Sequence, residues 1–123
     1  MKALLDESQP IFQQIAQMII DDIVDGQLKE GERAPSENEL SQFYNINRAT
    51  ARKGLQILAD QDILFKQRGI GMFVKEGAKQ QVLQEKQQHY RQDYIRPMLE
   101  EARRIGMTTE QIIEWIKEEE GKQ

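Results

Sequence analysis

Cysteine is absent from these 123 residues, and histidine occurs once, as His89. Without cysteine there is no disulfide, no thiolate zinc site and no cysteine nucleophile. A lone imidazole is poor material for a histidine-based metal site or for a Ser-His-Asp triad, so small hydrolases and metalloenzymes are disfavoured. Long apolar runs are missing too. Met18-Ile19-Ile20 and Ile63-Leu64-Phe65 are typical, far short of the roughly 20 residues that span a bilayer. The opening MKALLDESQPIF holds no apolar stretch of signal-peptide length, so the expectation is a cytoplasmic protein with no membrane partner. Phosphate-loop chemistry is also lacking: Gly69-Ile70-Gly71 has neither a third glycine nor a following helix. No cofactor, no metal and no catalytic residue is expected.

Net positive charge is lacking as well. Lys and Arg number 17 against 21 Asp and Glu, which gives −4, and this argues against a general nucleic-acid binder. The local balance is different. Residues 43–75 carry Arg48, Arg52, Lys53, Lys66, Arg68 and Lys75 against only Asp60 and Asp62, whereas residues 1–42 carry nine acidic and three basic side chains. A basic island in an acidic chain can bind a polyanion there, while the acidic remainder suppresses loose, non-specific binding.

Hydrophobic residues make up 38% of the chain. That is enough for a core, though a chain this small gains from a second copy. Ile11, Phe12, Ile15, Ala16, Ile19, Ile20 and Ile23 recur at spacings of three and four and predict a helix over 9–23, capped by Ser8 and stopped near Asp25-Gly26. Residues 26–35 read as a loop. Ser36 with Glu39 is a capping box opening a helix over 37–44, whose apolar side is Leu40, Phe43 and Tyr44. After the turn Asn45-Ile46-Asn47, a helix over about 48–61 turns Ala51, Leu55, Leu58 and Ala59 inward and Arg48, Arg52 and Lys53 outward. Residues 63–67 and 72–75 predict two strands joined by Arg68-Gly69-Ile70-Gly71, a hairpin. Gly77 marks a boundary. Beyond it, Val82, Leu83, Tyr90, Tyr94, Ile95, Met98, Leu99, Ala102 and Ile105 form a helical stripe with a kink or break expected near 93–96, where Pro97 removes a backbone donor. Thr108 with Gln111 caps a last helix over 109–119 that carries Ile112, Ile113, Trp115 and Ile116. The fold class is therefore mainly α (α+β). A winged helix-turn-helix with a two-strand wing spans 9–77, and a short two-helix domain spans 78–123.

Two short helices joined by a tight turn can lay the second in the major groove of DNA while the first braces it. Here the second begins Asn47-Arg48-Ala49-Thr50-Ala51-Arg52, and its exposed first turns are what reaches base edges. An arginine fork suits guanine O6 and N7, and Ala49 and the Thr50 methyl suit a thymine methyl. Lys53 lies on the same side, and Ser36, Glu37 and Asn38 open the bracing helix beside it. The hairpin is the wing, with Arg68 aimed at the neighbouring backbone or minor groove and Gly69 and Gly71 permitting close approach.

In order along the chain stand Pro10-Ile11-Phe12-x-Gln14-Ile15, Gly26-x-Leu28-x-x-Gly31, Pro35-Ser36-Glu37-x-Glu39-Leu40, Asn47-Arg48-x-Thr50-x-Arg52-x-x-Leu55-x-x-Leu58 and Gly69-x-Gly71-x-Phe73-Val74. This series resembles the winged helix-turn-helix of GntR-type bacterial transcription regulators, and the short helical tail resembles their YtrA subfamily. The resemblance implies that Arg48, Thr50 and Arg52 bind DNA with Gly69 at the wing tip, and that the regulated genes encode an ABC-type transporter. The family often has arginine where this chain has Asn38, leucine at Ala34, valine at Ala51 and alanine at Gly54. A glycine inside a helix costs about 1 kcal/mol against alanine.

The remaining candidates have simpler readings. His89 and Glu85, one helical turn apart, offer two ligands and make a weak metal site. Tyr90, Tyr94 and Trp115 suit packing better than a ligand pocket. With Leu83, Met98, Ile112 and Ile116 they form the expected dimerisation surface. The expected function is a transcriptional regulator, a repressor acting as a homodimer on a palindromic operator, with an effector that the sequence does not name. The alternative is a protein–protein adaptor built on a winged helix.

Overall fold

The computed structural model describes residues 1 and 5–122. Lys2, Ala3 and Leu4, on which the reading of the amino terminus partly rests, lie outside the described residues, as does Gln123. The chain divides into two compact units, Met1–Gln84 and Glu85–Gln123.

The first unit opens with α1 (Ile11–Val24), which buries Ile15, Ala16, Met18, Ile19 and Ile23 on one face. Ser8 is not its cap. The N-cap position falls on Pro10, and Ser8 donates through Oγ and its backbone N–H to the Asp6 carboxylate instead. The entry to the helix is held by Gln14, whose amide accepts from the Asp6 N–H at 2.7 Å and donates to the carbonyls of Asp6 and Gln9. At the other end, Gly26 takes φ +79°. Its N–H reaches the Ile23 carbonyl and the Gln27 N–H reaches that of Asp22, a Schellman closure that satisfies orphan carbonyls.

The brace α2 (Glu37–Tyr44) opens on the Ser36–Glu39 capping box, with both reciprocal bonds present. Asn45 at φ 54° ends it. Only Leu40 of its expected apolar side is fully buried; Tyr44 is half-buried, and Phe43 is 54% exposed with its ring edge-on to Tyr44. A helix of eight residues has one narrow inward stripe, and Phe43 lies off it. In α3 (Arg48–Asp60), Asn47 caps the start by accepting from the Ala49 N–H at 2.8 Å, and Ala51, Gly54, Leu55 and Leu58 are buried. Gly54 is where α1 and α3 meet. A Cβ there would stand 2.8 Å from the Phe12 carbonyl oxygen and 2.9 Å from Ile15 Cγ2, so the cost of a helical glycine is offset by close packing that no larger residue permits.

The wing is β1 (Leu64–Gln67) paired antiparallel with β2 (Gly71–Val74), in the register Leu64↔Val74, Phe65↔Phe73, Lys66↔Met72 and Gln67↔Gly71. The stretch read as a plain loop lies along β2 and bonds to it. Gly31 N–H donates to the Val74 carbonyl, Val74 N–H to that of Glu32, and Ala34 N–H to that of Met72, with an isolated bridge Arg33↔Phe73. Glu32, Arg33 and Ala34, between a glycine and a proline, show no alternation from which a strand could be read. Leu40, Leu58, Ile63, Leu64 and Val74 close one core with α1, and Ala78 and Val82 belong to it. The packing of the first unit therefore runs past Gly77 into α4 (Ala78–Tyr90). Glu30 caps that helix, accepting from the Lys79 N–H at 3.1 Å.

After α4 the backbone passes through a π-helical turn, Arg91–Ile95, into α5 (Arg96–Arg104), which Pro97 opens. The Arg96 N–H bonds back to the Arg91 carbonyl. The expected disturbance before Pro97 thus takes the form of a wider turn. Another Schellman closure at Gly106, through Gly106 N–H to Arg103 and Met107 N–H to Ala102, leads into α6 (Thr109–Glu120), which opens on the expected Thr108–Gln111 capping box. Among the described residues no helix is long and apolar enough to cross a membrane.

Candidate nucleic-acid interface

Capping fixes where the site begins. The Ser36–Glu39 box sets the first turn of α2, and the Asn47 cap sets that of α3. Glu37 is the first residue of one helix and Arg48 the first of the other. These starts lie close enough for one carboxylate to hold two guanidinium groups. Arg48 Nη2 donates to Glu37 Oε1 at 2.9 Å. Arg52 donates through Nε to Oε2 at 3.0 Å and through Nη2 to Oε1 at 3.1 Å. The Arg52 hydrogen bonds, then the Arg48 bond and both positive charges, hold the Glu37 carboxyl down at about 2. The same contact raises the Arg52 guanidinium above its ordinary value. Both arginines remain more than half exposed, so Glu37 does not remove them from solvent.

The other expected contacts divide. Asn38, Asn47 and Ala49 are exposed and Thr50 is half-buried. The Ser36 hydroxyl is engaged in its capping bond. Lys53 sits with Nζ 4.0 Å from the centre of the Phe12 ring, a cation–π contact that ties it to α1. In the wing, Gly69 takes φ +78° and has open space where a Cβ would go, and Arg68 beside it is exposed. Gly71 serves the protein itself: a Cβ there would meet Arg33 Nε at 3.0 Å.

Two residues escaped the sequence reading. Arg33 lies along β2 and pairs with Glu39 at 3.7 Å; its acidic neighbours in sequence conceal it. Ile70 is 58% exposed at the hairpin tip, and an apolar residue in a turn was the available signal.

The second unit gathers the remaining expected residues. Tyr90, Tyr94 and Trp115 are 59%, 64% and 59% exposed, with the two tyrosine rings 5.0 Å apart. Met98 and Ile116 are exposed, and Ile112 is half-buried, as is Leu83 in the first unit. His89 is exposed, and among the described residues no cluster of three or more acidic or histidine side chains could hold a metal ion.

The model of the gntR family of bacterial regulatory proteins matches residues 11–74. The HTH-type transcriptional repressor YtrA of Bacillus subtilis is 30% identical over 90% of this chain and 85% of its own length. Other curated relatives are much longer: the chain spans 28% of their length, in a match of 68 residues. Among solved structures, a GntR-family regulator from Bacteroides thetaiotaomicron superposes with a TM-score of 0.76 at 28% identity, covering 91% of this chain and 97% of that one. The DNA-binding domain of AraR, solved in complex with its operator, matches at a TM-score of 0.52 and 32% identity, covering 60% of this chain and 90% of that domain. The family model spans more than half of the sequence and YtrA is matched along most of both chains, so this chain belongs to the gntR family of bacterial regulatory proteins.

Proposed function

We propose that this chain is a sequence-specific DNA-binding transcriptional regulator, a repressor that acts as a homodimer on a two-fold-related operator. The observation that carries the reading is the exposed amino-terminal end of α3, where Arg48 and Arg52 stand within the matched family segment. Support comes from the operator complex of the AraR domain and from YtrA, named a transcriptional repressor. In this reading Arg48, Thr50 and Arg52 address bases, with Asn47 and Ala49 beside them. Ser36, Asn38 and Lys53 border the surface, and the wing turn Arg68-Gly69 follows the adjacent backbone. The DNA-binding head, read from sequence as 9–77, extends in this reading to Gln84, because Ala78 and Val82 belong to its core. The dimerisation domain follows it, and its exposed Tyr90, Tyr94, Met98, Trp115 and Ile116 pack against a second copy together with Ile112 and with Leu83 at the end of the head.

A symmetric dimer presents two reading helices about one turn of DNA apart, which makes the operator a palindrome. An effector, where one acts, would bias the spacing of the two heads. Selection of bound duplexes from random DNA tests the reading: a palindromic motif bound with steep salt dependence is expected, and failure to enrich any sequence overturns it. The genes beside the enriched motif then show whether an ABC-type transporter is the target. Sedimentation of the full chain tests the dimer, and a monomer at micromolar concentration overturns that part.

A further inference from the structure

Glu37 is an anion at the centre of a surface that, on the DNA-binding reading, must meet a polyanion. Its carboxylate takes three hydrogen bonds from the two arginines best placed to read bases. A phosphate would compete for those same donors, because arginine binds phosphate and carboxylate with the same fork. Arg52 meets Glu37 side-on, through Nε and Nη2. That leaves Nη1 and the second Nη2 proton pointing end-on, the geometry that meets guanine O6 and N7. Arg48 gives Glu37 only one Nη2 bond and keeps Nη1. The pair can therefore add a neutral base edge without leaving the carboxylate. A phosphate approaching the same forks brings its charge up to that of Glu37.

We infer that Glu37 is a specificity-determining residue. It holds Arg48 and Arg52 in base-reading geometry and, by its charge, denies both to the phosphates of arbitrary DNA. The inference rests on the DNA-binding reading and adds to it a gain of binding on removal, which neither a base contact nor a structural brace would produce.

The test titrates the full chain against the duplex it selects from random DNA and against a scrambled duplex of equal length. Glu37→Gln keeps the shape of the side chain and leaves the Ser36–Glu39 capping box in place. Its affinity for scrambled DNA should rise about tenfold at 0.1 M salt and its salt slope should steepen by about one. The preference for the selected duplex should fall by about the same factor. Glu37→Asp keeps the charge but shortens the reach. It should leave scrambled-DNA affinity at the parent's value while weakening the selected duplex about fivefold or more. Thermal melts of both variants report folding, and either variant alone decides the matter. Loss confined to the selected duplex in Glu37→Gln would make Glu37 a base contact and overturn the inference, as would a gain on scrambled DNA in Glu37→Asp. A parent chain that selects no sequence at all would overturn the underlying reading, whereas a selective parent whose Gln variant keeps its preference overturns this inference alone.

Discussion

The two compact units use similar side chains to opposite ends. In Met1–Gln84 the large apolar residues Ile15, Ile19, Leu40, Leu58, Ile63 and Val74 are shut from solvent. In Glu85–Gln123 the described core residue is Ala102, while Tyr90, Tyr94, Ile95, Met98, Ile105, Ile113, Trp115 and Ile116 are exposed. Both regions carry helical stripes of comparable strength, so periodicity reports that a face exists and is silent about what covers it. The first unit has α1, α2, α3 and the wing closing on one another. The second, among the described residues, buries little besides Ala102. An exposed apolar surface of that kind marks an interaction site, which is the physical ground for the proposed dimer.

Single side chains separate the two units most clearly. Leu58→Ala, in the first unit, should lower unfolding stability by about 2–5 kcal/mol and drop the melting midpoint of the head. Trp115→Ala should leave that midpoint within the effect of an ordinary surface change, about 0.5 kcal/mol. It should instead raise the dimer dissociation constant measured by sedimentation. Equal thermal losses in both variants would show that the tail helps to build the core of the head.

Truncation tests where the first unit ends. A chain ending at Gln84 keeps Ala78 and Val82 in the core and should fold as a monomer. It should bind a full palindromic operator about 10²-fold more weakly, because each head loses its tethered neighbour. A chain ending at Gly77 loses both buried side chains and should melt lower by circular dichroism. Identical melting of the two would put the end of the head before α4.

A smaller effect is expected at Gly54. Substitution by alanine improves helix propensity yet forces α3 away from the backbone of α1. Gly54→Ala should therefore destabilise by about 1–3 kcal/mol in urea titration, against the gain that propensity alone would give. The smallest effect belongs to acid. Glu37 is held at about 2, below its ordinary 4.5. Its ion pairs add stability that is complete above the unfolded value and is lost as pH falls toward 2. Between pH 5 and 2 the stability of Glu37→Gln should fall slightly less steeply than that of the parent, and an identical slope would remove the ion pairs from the stability of the head.

The elements of this fold were legible wherever the chemistry is local. The capping boxes at Ser36 and Thr108 name their helix starts within one turn of sequence, and Gly26 and Gly106 name two of the ends. The bridge that 31–34 makes to the wing was not legible, because its partner is β2, some forty residues away, and its own residues carry no pattern. Phe43 looked inward because aromatics commonly do, and only the packing of a short helix shows otherwise. At the candidate site, Arg48 and Arg52 followed from charge and position. Their shared partner did not, since Glu37 lies 11 and 15 residues before them and reads in sequence as one more contact of its helix.

One carboxylate shared by two arginines also bears on how such a head diverges. Replace either arginine and Glu37 keeps a partner, so a single substitution is buffered. Replace both and a bare negative charge is left on the surface proposed to face the nucleic acid. On the proposed reading the order of substitutions then matters: changing Glu37 first would pass through a less selective head, and changing both arginines first through one that binds poorly. The same reading would steer drift toward a new operator through changes of one arginine at a time.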